Sequence, residues 1–242
     1  MSGLSTIAFD ADDTLWAHEE YFKMTEARFT ELLAEYAAPD HLEERLLTAE
    51  RRNLKRYGYG AKGFTLSMIE TAIEITDERV PVRTLREILH AGQEILEHPV
   101  TPMPGVAETL AALKGAFRLM IVTKGDLFDQ ERKIAASGLG DYFDAVEIVS
   151  EKDAAAYARL FERHGHGAAR AMMVGNSLKS DVIPALESGA WGCIFPANTN
   201  GYWTMPNRQW GLIGFTLSKP CQCCMALFRS FDDLLPAAAP RP

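Results

Sequence analysis

Two strand-like runs in this chain are separated by the whole of residues 17–116, and that gap constrains the fold more than any other feature. The first run, Thr6-Ile-Ala-Phe-Asp-Ala-Asp-Asp-Thr-Leu-Trp16, is apolar at Ile7, Ala8 and Phe9 and then sets Asp10, Asp12 and Asp13 within four positions. Such a run reads as a short strand covered on both faces that delivers carboxylates to a sheet edge. Like charges so close raise one another's pKa, so the cluster holds a cation, shares a proton or sits in water. Taken alone, Asp-x-Asp-Asp is equally well a solvated acidic turn, and the rest of the chain has to decide.

Between the two runs the pattern is helical. Phe22, Phe29, Leu33 and Tyr36 recur at sevens, fours and threes, the spacing of one helix face. Pro39 stands where a second helix would begin, continued by Leu42, Leu46 and Ala49, and Gly58, Gly60 and Gly63 interrupt it around Tyr59. Phe64, Met68, Ala72 and Ile73 mark a third helix; Leu85, Ile88, Leu89 and Leu96 mark a fourth that starts near Pro81. A crossover of this length is too long for an ordinary strand-to-strand connection. The expectation is a separate helical domain over residues 17–99, inserted after the first strand of a core formed by residues 1–16 and 100–242.

After Pro102-Met-Pro-Gly105 the chain alternates. Helices are expected over 106–114, 128–137, 154–164 and 182–188, and strands over 117–123, 146–149, 171–174 and 191–195. Alternation of this kind predicts an α/β fold, a doubly wound parallel sheet whose ligands bind at the carboxyl ends of the strands. At those ends the sequence places Asp10, Asp12 and Asp13, then Thr123-Lys-Gly125, then Lys152, then Gly175-Asn-Ser177 followed by Asp181. Each of these has an ordinary reading as a cap or turn residue. Together they supply a carboxylate nucleophile, a second carboxylate for proton transfer, a hydroxyl, a cation and further oxygen ligands, which outlines a metal-assisted phosphoryl-transfer site.

The order of these motifs resembles that of the haloacid-dehalogenase superfamily of phosphohydrolases. Phe9-Asp-Ala-Asp-Asp-Thr-Leu15 is similar to its first motif, Ile121-Val-Thr123 to its second, Lys152 to its third and Gly175-Asn-Ser-Leu-Lys-Ser-Asp181 to its fourth. The resemblance implies a Rossmann-like core, and the helical insert is similar to the cap of the family's C1 branch. It implies Asp10 as the nucleophile that forms an aspartyl-phosphate and Asp12 as general acid and base. Thr123, Lys124, Gly125 and Lys152 would bind the substrate, with Thr123 and Lys152 on phosphoryl oxygens. Magnesium would be held by Asp10, the backbone carbonyl of Asp12, and Asn176 or Asp181.

One departure bears on that metal. Many members of the family have an aspartate directly after the glycine of the fourth motif, where this chain has Asn176. An amide oxygen brings no charge, so Asp181 is expected to carry more of the site. Specificity is expected from the helical insert, where Arg51, Arg52, Lys55, Arg56 and Lys62 are candidates to meet an anionic substrate, although a basic helix face is ordinarily a solvated one.

Three other functions compete. A dehalogenase would use the same nucleophile on carbon, but that branch, by resemblance, lacks the second aspartate. A response-regulator receiver carries its phosphorylated aspartate on a later strand of a shorter domain. A phosphate-binding module without turnover would keep the site and lose the chemistry. The net charge of -8 at pH 7 offers no footprint for nucleic acid or an anionic membrane. No run reaches the length of a membrane span, and the N-terminus lacks the pattern of a signal peptide, so a cytoplasmic monomer or homodimer acting on a small phosphorylated substrate is expected. Cys193, Cys221, Cys223 and Cys224 do not form a disulfide framework, and Cys-x-Cys-Cys lacks zinc-site spacing. Residues 197–225, including a candidate strand at 212–217, show no clear pattern.

Overall fold

The structure is a computed structural model that describes residues 3–195; the candidate strand at 212–217 and Cys221, Cys223 and Cys224 lie outside them. Among the described residues there are two compact units. One takes in residues up to 17, 101–123 and 137–195; the other is His18–Val100 with Lys124–Ala136.

The first unit is built on β1 (Thr6–Phe9), β2 (Arg118–Lys124), β3 (Ala145–Val149), β4 (Ala171–Gly175) and β5 (Trp191–Ile194). The strand order is β3-β2-β1-β4-β5. β1 pairs in parallel with both β2 and β4, Phe9 facing Ile121 on one side and Val174 on the other, and β4 pairs in parallel with β5. Every residue of β1 is buried, which is why its sequence is continuously apolar rather than alternating. The chain leaves β1 toward β2 and β3, then returns to the other side of β1 as β4. That reversal between β1 and β4 marks where a doubly wound sheet binds ligands.

Flanking helices complete this unit. Ala8, Met120, Val122 and Met173 from the sheet pack with Tyr157, Leu160 and Phe161 of α7 (Ala154–His164) and Ala185 of α8 (Ile183–Glu187). α5 (Val106–Leu113) buries Val106, Leu110 and Leu113. Near the return point expected at Pro102, Trp16 bridges to Pro102, and Met103 N–H donates to Leu15 O at 2.9 Å.

The second unit holds α1 (Glu19–Leu32), α2 (Pro39–Tyr57), α3 (Ala61–Ile75) and α4 (Val82–Glu97), with most of α6 (Leu127–Ser137). Phe29, Leu33, Leu42, Leu46, Phe64, Met68, Ala72, Ile88 and Ile95 form its core. Burial of one such side chain contributes on the order of 1.5–3 kcal/mol. α3 and α4 approach so closely at Gly92 that a Cβ there would fall 1.9 Å from Thr65 Oγ1. Arg28 reaches from α1 to α4, donating to Glu87 at 2.9 Å and Glu94 at 2.8 Å.

Four sequence expectations are corrected here. Tyr36 lies past the end of α1 and is exposed, and Leu89 faces solvent while Ala91 and Ile95 are buried. Periodicity failed at both places because one stripe was extended beyond the helix and the other, right at Ile88, took in the neighbouring Leu89 at the edge of the buried face. Gly63 does not interrupt the chain; it lies in the first turn of α3, close to the carbonyl of Gly58. Gly58, with φ 71°, is what ends α2. The helix expected over 182–188 is preceded by a wide π-type turn, Leu178–Val182, before α8 begins. Among the described residues no helix is long and apolar enough to cross a membrane.

Candidate active site

Asp10 follows directly on β1, its N–H donating to Val174 O at 2.9 Å, so the central strand holds its backbone in place. Its carboxylate Oδ1 accepts from Lys152 Nζ, and Oδ2 lies 3.4 Å from Thr14 Oγ1, at the limit of a hydrogen bond. Lys152 comes from the segment after β3 and reaches a second carboxylate as well, donating to Asp181 Oδ1 at 2.7 Å. All three groups are buried. Residues 142 and 29 positions from Lys152 thus meet on one ammonium.

The charges explain one another. Burial pushes the Asp10 carboxyl up to about 6, against the pull of Lys152, with the neighbouring charge of Asp181 adding to the rise. Burial works to strip the Lys152 ammonium of its proton, but Asp10 and Asp181 outweigh it and hold the group above its ordinary value. Two carboxylates against one ammonium leave an excess of negative charge in a low-dielectric place.

The π-type turn after β4 sets the position of Asp181. Ser177 N–H donates to Asp181 Oδ2 at 2.9 Å, Ser177 Oγ accepts from Ser180 N–H at 3.1 Å, and the Tyr157 hydroxyl donates to Ser180 O at 3.1 Å. Irregular turns of this kind are frequent at functional sites. Gly175 makes the room: a Cβ there would stand 2.3 Å from Asp181 Oδ2. Asn176 follows, half-buried. Burial, reinforced by the charges of Asp181 and Asp10, raises the Tyr157 phenol far above its ordinary value, so it remains a neutral donor.

Asp12 is half-buried, and its Oδ1 accepts the indole N–H of Trp16 at 2.8 Å. Thr123 is buried near the end of β2, two residues beyond Ile121, the register partner of Phe9. Lys124 and Gly125 group with the helical unit, where Lys124 Nζ stands 4.0 Å from the ring centroid of Tyr59. Gly125 has φ 151°, and a Cβ there would meet Gln130 Nε2 at 2.7 Å, so the turn after β2 requires glycine. The basic residues of the insert divide. Arg52 pairs with Glu70 at 2.9 Å and Glu74 at 2.8 Å, and Lys62 pairs with Asp126 at 2.8 Å, while Arg51, Lys55 and Arg56 are exposed on α2.

A family model described as haloacid dehalogenase-like hydrolase matches residues 4–189. The chain belongs to that family. This hydrolase is 47% identical to a haloacid dehalogenase-like hydrolase from Xanthomonas campestris, with a TM-score of 0.76 over 81% of this chain and 82% of that one. It is 26% identical, over 79% of its own length and 86% of the relative's, to the pyrimidine 5'-nucleotidase YjjG of Escherichia coli strain K12. The 2-haloacid dehalogenase of Pseudomonas syringae pv. Tomato DC3000 shares the fold at 22% identity and a TM-score of 0.52, covering 79% of this chain and 86% of that one. The α/β core with an inserted helical cap, expected from the motif order, is the fold of this family.

The donor set suits a hard cation. Among the described residues no three His, Cys, Asp or Glu side chains converge as a ligand cluster, so any cation here would rest on Asp10 and Asp181 plus neutral oxygens. Magnesium binds in that manner, through one or two carboxylates with retained waters. Each oxygen of Asp181 already accepts a hydrogen bond but keeps a further lone pair. The excess negative charge beside Asp10 is what such an ion would offset.

Proposed function

We propose that this hydrolase is a magnesium-dependent phosphomonoesterase that works through an aspartyl-phosphate on Asp10. The observation that carries the reading is a second carboxylate, Asp12, two residues beyond a buried Asp10 whose Oδ1 is held by Lys152. Attack on carbon in a haloacid expels a halide, which needs no proton. An ester oxygen does need one, and Asp12 is the group at hand to deliver it.

In the proposed reaction an oxygen of Asp10 attacks phosphorus as the bond from phosphorus to the ester oxygen breaks, and the departing oxygen takes a proton from Asp12. Asp12, now ionised, takes a proton from water, which attacks phosphorus and releases inorganic phosphate and the free Asp10 carboxylate. Lys152 orients Asp10 and offsets its charge, and Thr123 offers a hydroxyl to the phosphoryl oxygens. Asp10, the Asp12 carbonyl, and Asn176 or Asp181 would hold magnesium, which when bound supplies Lewis-acid stabilisation of the phosphoryl charge. The substrate proposed is a small phosphorylated metabolite. The name of the Escherichia coli relative makes nucleoside 5'-monophosphates the first class to try.

The test is hydrolysis of 4-nitrophenyl phosphate and of a panel of phosphorylated metabolites, with magnesium and with chelator, beside 2-chloropropionate as a dehalogenase substrate. Magnesium-dependent phosphate release is expected. Chloride release without phosphatase activity would replace this reading with a dehalogenase, and phosphate binding without turnover would replace it with a binding module.

A further inference from the structure

Trp16 takes no part in the chemistry just described, yet its side chain is among the largest that are fully buried. An indole has a single polar atom, and that atom only donates. Here it donates to Asp12 Oδ1 at 2.8 Å. The backbone closes the same turn. Asp13 N–H donates to Trp16 O at 2.7 Å, Thr14 and Leu15 N–H both turn back to Ala11 O, and Asp12 and Trp16 form a bridge. Asp13 takes the left-handed conformation, φ 58°, that lets so short a loop close. On its far side Trp16 bridges to Pro102, which ties the loop to the point where the chain re-enters the core.

The terminal torsion of an aspartate is soft and roughly two-fold, so a half-buried carboxylate has little of its own to choose between rotations. A buried donor on a rigid ring supplies that choice. We propose that Trp16 is a positioning residue for proton transfer: its indole N–H holds Oδ1 of Asp12 and so fixes the rotation in which the carboxyl exchanges a proton with the ester oxygen and with water. The proposal rests on the reading of Asp12 as general acid and base.

Misplacing a proton donor is felt where the leaving group needs the proton. Trp16→Phe keeps an aromatic ring in the site and removes the N–H; 3-benzothienylalanine at position 16 keeps the bicyclic shape and puts sulfur in its place. Both proteins, with wild type and Asp12→Asn, are assayed in magnesium for kcat/KM on an alkyl phosphate and on 4-nitrophenyl phosphate, whose phenol leaves without help. The expected result is a loss of about tenfold or more on the alkyl ester, and of no more than about threefold on the aryl ester, following in weaker form the pattern of Asp12→Asn. A direct readout accompanies it: the Trp16 indole N–H resonance, assigned by its absence in Trp16→Phe, moves in Asp12→Ala.

If Trp16→Phe does not fold, the benzothienyl protein decides. Equal losses on both esters, or none, in a folded variant overturn the proposal while Asp12→Asn remains selective and its role stands. An Asp12→Asn protein without leaving-group selectivity, or a wild type inactive on both esters, removes the acid-base reading and this proposal with it. An indole resonance unmoved in Asp12→Ala overturns the contact itself.

Discussion

Lys152 Nζ donates at 2.7 Å to Asp181 while also holding Asp10, so one ammonium joins the carboxylate that ends the central strand to the one that follows its neighbour β4. Buried ion clusters of this kind are poor sources of net stability, because desolvation works against the attraction, but losing one partner leaves uncompensated charge.

The first prediction concerns pH. Asp10 ionises around its ordinary 3.8 in the unfolded chain and at about 6 in the folded, magnesium-free protein. Between these values the folded state binds more protons than the unfolded, so the stability Asp10 contributes is fully present below the lower value and is lost as pH rises through the upper one. Urea unfolding in chelator from about pH 4.5 to about pH 7 should show that decline in wild type. Asp10→Asn, with no proton to exchange, should show a shallower slope. Identical slopes would mean that burial does not raise this carboxyl.

The proposed nucleophile gives the second. Asp10→Asn keeps the size of the side chain and removes its attacking charge, so kcat on any substrate the wild type accepts should fall by about 10³-fold or more, with the far-ultraviolet circular dichroism of a folded protein. Near wild-type turnover would end the aspartyl-phosphate mechanism.

The third separates the two candidate metal ligands after β4. Asp181→Asn should raise the magnesium concentration for half-maximal activity by about tenfold or more, and Asn176→Ala by less, because the first removes a charge and the second only a neutral oxygen. Asn176→Asp should lower that concentration. An unchanged value in Asp181→Asn would leave Asp181 as a partner of Lys152 and Ser177 with no place on the metal.

Packing in the helical unit gives a prediction independent of chemistry. Gly92→Ala would set a methyl 1.9 Å from Thr65 Oγ1 where α3 and α4 cross, which should cost about 1–3 kcal/mol in denaturant unfolding. Adding Thr65→Ala, which removes the hydroxyl and methyl but not the nearby Cβ, should return part of it. A fully stable single variant would show that the crossing has slack.

Much of this was legible in the chain. An apolar β1 ending in acids, helices spaced by Leu42 and Leu46 or Phe64 and Met68, and strand-end residues in the right order were enough to read sheet, insert and candidate site. What could not be read is of two kinds. Trp16 stands four residues after Asp12 in a loop with a left-handed Asp13, and only three-dimensional closure turns an apolar residue into a hydrogen-bond donor. The helix over 154–164 was read from its span without its contacts, while the structure gives the Tyr157 hydroxyl to Ser180 O. The ion pairs of Arg52 and Lys62 were hidden for the same reason, since their acids lie on other elements. Residues that act across long sequence separations leave no local pattern.

The sheet order has a consequence for how the molecule is made. β1 is synthesised first but lies between strands that begin at Arg118 and Ala171, so Asp10 gains its hydrogen-bonded neighbours only when the second half of the chain is available. Until then its carboxylate sits in water and meets neither Lys152 nor Asp181. The helices of the insert, whose contacts are closer in sequence, have no such wait, and local contacts form faster than distant ones. On a growing chain the helices α1 to α4 are therefore complete while β1 is still without partners, and the charged cluster is among the last things to assemble.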